Sequence, residues 1–185
     1  MSVVQKLVNG LDPKQVFQGV PSDEDFEEQD VEFILSQDIK DIANLLIEEA
    51  LPYLKDVRIE YFWKKRGGSA AGKLTLGKCQ KPSGLLKKYC PGSFVIWLGA
   101  DNVVKKNLTR YQVEALIFHE LNHIDLLGDS SEAGYDIKGH DFEGFGSEIE
   151  RYGLWEQGLQ VAGDAVQSAL GSGVQSEFNV DVEKV

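Results

Sequence analysis

Three of the 185 residues are histidines, and two of them belong to an HExxH sequence, His119-Glu120-Leu121-Asn122-His123. Residues four apart lie on one face of a helix, about 6 Å from each other, so both imidazoles can reach one metal ion. The glutamate between them lies beside that face, where it can take a proton from a metal-bound water without binding the metal itself. The motif therefore predicts a zinc site with His119 and His123 as ligands and Glu120 as the general base.

The third protein ligand is less clearly marked. The remaining histidine, His140, follows the motif by 17 residues, beyond a glycine-containing loop that lets the chain turn back. We therefore predict His140 as the third ligand, with Glu143 or Glu148 on the following helix as alternatives. A metzincin pattern is excluded, because Leu126 and Asp129 stand where that pattern needs a glycine and a third histidine.

A strong helix carries the HExxH sequence. Thr109 and Gln112 fit a capping box at its start, and apolar residues then recur at helical spacing as far as Leu127. Gly128 is a natural C-terminal stop. Residues 128–139 read as a loop, followed by a helix from about residue 140 and another over 153–170.

Upstream of that helix, the pattern predicts an α+β fold. Apolar spacing from Asp38 indicates a helix that Pro52 ends, and later segments alternate in the way that strands do. We expect a short mixed or antiparallel sheet packed on this N-terminal helix, on the HExxH helix and on the C-terminal helices. The first two strands could form a hairpin with a mobile basic tip. The predicted strands lie near 57–64, 73–78 and 93–99.

Three parts of the chain differ in composition. We predict an acidic N-terminal segment over 1–36, a single domain over 37–170 and a C-terminal tail over 171–185. The chain is 42% hydrophobic, which suffices for a core without disulfides, and Cys79 and Cys90 are expected to be reduced thiols. No apolar run reaches the roughly 18 residues of a membrane span or forms a secretory signal, which predicts a cytoplasmic protein without a membrane partner.

The net charge of −11 conceals a basic region. Residues 51–110 carry 13 basic and 3 acidic residues, and residues 61–100 contain no carboxylate side chain. Pairing with acidic parts of the same chain is the favoured interpretation. Binding of nucleic acid through residues 61–88 is the less favoured alternative.

Two stretches of the sequence resemble the putative phage metallopeptidases, namely LTRYQVEALIFHELNHID and GHDFEGFGSEIERYGLW. Those proteins pair HExxH with a downstream HD-x-E-x-F segment and an R-Y-G-L-W ending, and the similarity covers roughly residues 55–156. SprT-like metalloproteases are more distantly similar. The resemblance implies a small zincin-like domain with one zinc ion per chain, held by His119, His123 and His140, and with Glu120 as catalytic base. The matching positions downstream are His140, Asp141, Glu143, Phe145 and 151–155.

The same resemblance suggests further site residues. In zincin-like folds the strand before the metal helix forms an edge on which an extended peptide pairs. This predicts a substrate edge at Phe94, Val95, Ile96 and Trp97. Asp141 and Glu143 could orient a ligand. Tyr135 and Tyr152 could stabilise the oxyanion or could be packing residues.

Together these features predict a zinc-dependent peptidase that acts on proteins or peptides, encoded by a phage and located in the bacterial host cytoplasm. The alternative is a non-catalytic, metal-stabilised module that binds a host protein or DNA-bound proteins. Glu120 distinguishes the two, because a purely structural metal site needs no base beside its ligands.

Overall fold

A computed structural model describes residues 14–84, 86–89, 92–127, 134–140, 152, 154 and 157–171 of the chain. The chain falls into two compact units, Met1–Lys138 and Gly139–Val185. The helices of the first unit are α1 (Asp23–Glu28), α2 (Gln37–Ala50), α3 (Leu86–Tyr89), α4 (Ala100–Lys105) and α5 (Arg110–Asn122), with a 3-10 turn at Pro52–Leu54. Its strands are β1 (Phe33–Leu35), β2 (Ile59–Lys64), β3 (Ser69–Ala70), β4 (Lys73–Leu74), β5 (Gly77–Gln80), β6 (Phe94–Gly99), β7 (Ile124–Leu126) and β8 (Tyr135–Ile137).

The central sheet has four strands in the order β1-β2-β6-β5. β1 pairs antiparallel with β2, β2 pairs parallel with β6, and β5 pairs antiparallel with β6. The expected α+β fold with a short mixed sheet is therefore confirmed. Two small hairpins, β3–β4 and β7–β8, lie outside this sheet.

The predicted pairing of the first two strands is wrong. β6 lies between β2 and β5, so those two strands are not neighbours, and the local hairpin is the two-residue pair β3–β4. The apolar run of β6 agrees with its central place in the sheet, because both faces of the strand are covered. Ile96 on one face is 0% exposed, and Trp97 on the other is 5% exposed.

The prediction of a substrate edge on β6 is wrong for the same reason. Val95, Ile96 and Trp97 pair with β2 on one side and with β5 on the other, and Phe94 pairs with Ile59 of β2. An extended peptide cannot pair there. The edge strand on the side of the HExxH helix is β5, and the opposite edge is β1.

The core lies between one face of the sheet and the helices α2 and α5. Alternate residues of β2 point into it, namely Ile59, Tyr61 and Trp63, as the two-residue period of a strand requires. α2 begins where Ser36 accepts a hydrogen bond from the Ile39 N–H and ends before Pro52, as the sequence predicts.

The predicted domain boundaries stay predictions. Residues of the acidic N-terminal segment nevertheless contact the core: Phe26 is 1% exposed, and β1 belongs to the sheet. In the second unit, α6 (Gln157–Gly171) overlaps the predicted helix over 153–170 and ends one residue beyond it. None of the described helices is long and apolar enough to cross a membrane.

Candidate metal centre

The helix α5 positions the HExxH sequence, and the residues at its own start fix where it begins. The Gln112 N–H donates to Thr109 Oγ1 at 3.3 Å, and the Thr109 N–H donates to Gln112 Oε1 at 2.9 Å. This reciprocal pair is the predicted capping box, which is confirmed. Val113, Ile117 and Leu121 face the core, each 0% exposed, and this fixes the rotation of the helix about its axis.

The end of α5 differs from the expectation. The helix ends at Asn122 instead of continuing to Gly128, and His123 is its C-cap residue. Ile124 turns into strand β7 and is 0% exposed, opposite Ile137 of β8. The Tyr53 hydroxyl donates to the Ile124 carbonyl oxygen at 3.1 Å. The apolar residues after the motif therefore belong to a strand pair, although their spacing would also fit a helix.

The imidazole rings of His119 and His123 are adjacent, with their centroids 5.0 Å apart and their planes at 89° to each other. His123 Nδ1 lies 2.8 Å from the carbonyl oxygen of Lys138, directly after β8. Because a carbonyl oxygen only accepts, Nδ1 donates its proton in this contact, which leaves Nε2 as the ring nitrogen that could bind a metal ion. The Lys138 N–H also donates to the His123 carbonyl oxygen at 2.7 Å, so two hydrogen bonds join these residues.

His140 follows Lys138 closely along the chain, with only Gly139 between them. Ligand nitrogens of His119, His123 and His140 all lie within 4.8 Å of one another. Two nitrogen ligands of one tetrahedral zinc ion are about 3.4 Å apart, so these three histidines could hold an ion. The donor set of three imidazoles fits zinc.

The other predicted ligands cannot be placed in the same way. Glu143 and Glu148 lie outside the described residues, as do Asp141, which was predicted to orient a ligand, and Cys90, which is expected to be a reduced thiol. Cys79 is described: it lies on β5, is 7% exposed, and carries a thiol whose pKa burial raises to about 12, with the charge of Glu120 adding to the shift. Such a thiol is neutral at physiological pH.

Glu120 is a buried carboxyl group, only 4% exposed. Burial raises its pKa from 4.5 to about 7, while the nearby charge of His123 and a hydrogen bond from the backbone N–H of Cys79 act in the opposite direction. Desolvation dominates because a charge is poorly stabilised away from water. The side chain between the two histidines can therefore hold or release a proton near neutral pH.

Gly77 allows Glu120 to take this position, and sequence reasoning missed it. A Cβ atom on Gly77 would lie 2.9 Å from Glu120 Oε1 and 2.9 Å from Leu98 Cδ2. Only a residue without a side chain leaves room for the carboxylate against β5. A glycine inside a strand is a known sign of close approach and was the available signal.

The edge of β5 faces the carboxylate of Glu120. The Gly99 N–H donates to the Leu76 carbonyl oxygen at 2.8 Å, so Leu76 is hydrogen-bonded toward β6. Because antiparallel pairs alternate, the backbone groups of Gly77 and Cys79 point away from β6, toward the open edge. The Cys79 N–H reaches Glu120 there. The edge strand and the predicted base are thus in direct contact.

The two tyrosines of the predicted oxyanion site differ. The Tyr135 hydroxyl donates to the Tyr53 carbonyl oxygen at 2.8 Å, and its ring packs against the core, so the structure gives Tyr135 a packing role. Tyr152, in the second unit, is 64% exposed. Its predicted part in stabilising an oxyanion stays a prediction.

The basic region is partly neutralised within the chain. Lys65 pairs with Glu27 at 2.9 Å, and Arg66 pairs with Asp23 at 2.6 Å. Lys64 lies over the Trp97 ring, 4.6 Å from its centroid. These contacts agree with the favoured interpretation of internal pairing.

Comparison with known proteins gives one informative result. Searches of curated proteins and of solved structures gave no match. The model of the family described as putative phage metallopeptidase matches residues 31–167, which include α5, the three histidines and Glu120. Because the match spans most of the chain, the protein belongs to the putative phage metallopeptidase family.

Proposed function

We propose that the protein is a zinc-dependent peptidase in which His119, His123 and His140 hold the ion and Glu120 is the general base. The observation that carries this proposal is the buried carboxyl group of Glu120, placed between two of the histidines and with a pKa raised to about 7. When bound, zinc polarises a peptide carbonyl and lowers the pKa of water, which makes attack possible at neutral pH.

Glu120 moves the proton in this proposal. A carboxyl group with a pKa near neutrality accepts a proton from the attacking water and can release it to the leaving amine. The Cys79 N–H fixes one side of the carboxylate while this happens. His123 is oriented by Lys138, whose carbonyl oxygen holds Nδ1, so Nε2 would be the nitrogen that binds the ion.

The substrate is a protein or peptide that lies along β5. The outward-facing backbone groups of Gly77 and Cys79 offer acceptors and a donor to an extended chain beside Glu120. This replaces the edge predicted on β6. The reaction would take place in the cytoplasm of a phage-infected bacterium.

The alternative is a metal-stabilised module that binds a host protein without cleaving it. A structural site usually has four protein ligands, often cysteines, and gains nothing from a buried base. Burying the Glu120 carboxyl group beside the histidines costs stability at neutral pH. Such a cost is expected where a group is kept for function. The position of Glu120 therefore favours the peptidase.

Cleavage profiling of a bacterial lysate tests the proposal. Purified wild-type protein should contain about one zinc ion per chain and generate new peptide termini. Glu120→Gln should keep the zinc and lose about 10²-fold to 10⁴-fold in cleavage rate, because its amide cannot accept the proton.

Glu114→Gln is the matched control, since Glu114 is a second buried glutamate on α5, 7% exposed. It should retain cleavage. Equal cleavage by wild type and Glu120→Gln would refute the mechanism. Stoichiometric zinc without any cleavage by the wild type would support the binding module instead.

A further inference from the structure

A basic cavity lies at the end of the β5 edge. Its volume is about 570 Å³, and its lining includes Lys81, Lys87 and Lys88 together with Ser93, Phe94 and Tyr135. No aspartate or glutamate is among the described residues that line it. The cavity thus combines three ammonium groups with two aromatic rings.

The positive charge of this cavity is only partly compensated. Lys81 pairs with Asp136 at 2.8 Å and lies 5.6 Å from the centroid of the Phe94 ring. Lys87 and Lys88 are exposed, and neither forms an ion pair within the described part of the chain. Two ammonium groups are therefore available to an anion in a concave site, where the field of the lysines is concentrated.

Two chain segments connect the cavity to the candidate metal centre. Lys81 directly follows β5 and is two residues from Cys79, whose N–H holds Glu120. Two residues of a strand span roughly 7 Å. On the other wall, Tyr135 begins β8, and Lys138 just beyond that strand holds His123. A chain extended along β5 would therefore pass from Glu120 to the lysines within a few residues.

We propose that this cavity is a subsite for a carboxylate of the protein substrate, located about two to four residues from the scissile bond. The proposal rests on the proposed peptidase function and specifies its substrate class, an acidic segment of a protein. Lysine ammonium groups bind carboxylates as point charges, and the partly exposed Tyr135 provides an apolar contact for the intervening chain.

A peptide fits this cavity better than a nucleic acid does. Nucleic acids are bound by charges that follow a phosphate backbone along a surface. In this chain the neighbouring cations Lys65 and Arg66 are paired internally with Glu27 and Asp23, and the net charge of −11 opposes a polyanion as a whole. Lys81, Lys87 and Lys88 instead gather around one concave site.

Binding can be tested without hydrolysis in the Glu120→Gln chain. The probes are fluorescein-labelled Gly-Ser-Glu-Glu-Glu-Ser-Gly amide, the same peptide with glutamines, and the glutamine peptide with a free C-terminal carboxylate. We expect one of the two carboxylate probes to bind about tenfold more tightly than the glutamine amide at low salt, with the difference shrinking as salt is added. The side-chain and terminal probes distinguish the two sources of the carboxylate.

Substitution of the two available lysines is the decisive comparison. Lys87→Gln/Lys88→Gln should remove most of the carboxylate preference, whereas Lys105→Gln/Lys106→Gln, an adjacent exposed pair on and after α4, should keep it. An equal preference in both double variants would overturn the subsite. So would an absence of preference in the parent chain, or tighter binding of a labelled oligothymidylate than of either carboxylate peptide.

Cleavage profiling separates this proposal from the one on which it rests. If the wild type cleaves a lysate, its cut sites should be enriched in aspartate, glutamate or a chain terminus within four residues, and Lys87→Gln/Lys88→Gln should lose that enrichment. Cleavage without enrichment would overturn the subsite and leave the peptidase intact. Carboxylate binding without any cleavage would retain the subsite and refute the peptidase.

Discussion

The two edges of the central sheet differ in what they contact. At the β5 edge the Cys79 N–H binds the carboxylate of Glu120, and Gly77 leaves room for that side chain. At the β1 edge, the Ser36 N–H donates to the Tyr61 carbonyl oxygen, and the Lys65 N–H donates to the Glu32 carbonyl oxygen. The residues on either side of β1 are thus hydrogen-bonded to the β2 side. The backbone groups of Phe33 and Leu35 therefore point to the outside, with side chains 39% and 67% exposed.

Both edges have backbone groups that point away from the sheet, yet only the β5 edge lies beside groups that can do chemistry. The difference teaches that an open strand edge alone does not mark a substrate site. What distinguishes β5 is a buried carboxyl group and a histidine pair within reach of the same strand. The following predictions test that distinction, beginning with the largest expected effect.

Removing a metal ligand should abolish function at the β5 edge. His119→Ala or His123→Ala should lose the bound zinc and reduce peptide cleavage below detection, because two imidazoles do not hold the ion against competing ligands. Zinc content after dialysis and cleavage assays measure both effects. Asn122→Ala, an exposed neighbour on the same helix turn, should keep the metal. Full zinc occupancy in both histidine variants would refute the assigned site.

Adding one methyl group at the β5 edge should misplace the base. In Gly77→Ala the new Cβ would meet Glu120 Oε1, so the carboxylate must move. We expect kcat/KM to fall about 10-fold to 100-fold with zinc content unchanged, because small displacements of a catalytic group are costly. Gly171→Ala, whose added Cβ would meet no atom within 4 Å, is the control and should show normal kinetics. A fully active Gly77→Ala would show that Gly77 does not set the position of Glu120.

The burial of Glu120 should also make the metal-free fold sensitive to pH. Its folded pKa of about 7 lies above the ordinary value of 4.5, so its contribution to stability is fully present below pH 4.5 and is lost as pH rises through 7. In EDTA, Glu120→Gln should be more stable than wild type at pH 8, by about 3 kcal/mol at most, and the difference should vanish near pH 4.5. Urea unfolding at several pH values measures it. If the free energies of unfolding of the two proteins changed with pH in the same way, the raised pKa would be contradicted.

The smallest effect is expected at the β1 edge. Leu35→Gln replaces a side chain that is 67% exposed and should change the free energy of unfolding by only about 0.5 kcal/mol. Cleavage kinetics should stay unchanged, since β1 lies at the opposite edge of the sheet from β5. A loss of activity in a folded Leu35→Gln protein would show that the two edges do not differ in the way proposed.

Much of this architecture was readable in the sequence because local rules govern it. The capping box at Thr109, the helical spacing of α5 and the stop at Pro52 depend on neighbours within a few residues, and the α+β class and the histidine pair follow from such patterns. The hairpin and the edge strand were mispredicted because strand order depends on long-range pairing, which alternation within one segment does not encode.

The sequence by itself determined which side chains are available: an HExxH pair, one further histidine, and a basic region in an acidic chain. The tertiary structure decided how they are used. It ended α5 at the motif, where Ile124 is buried in β7 opposite Ile137 of β8. It brought Lys138 to His123, and it raised the pKa of Glu120 by removing that carboxyl group from water beside Gly77. Burial and strand order are properties of contacts between distant residues, and only the folded chain contains them.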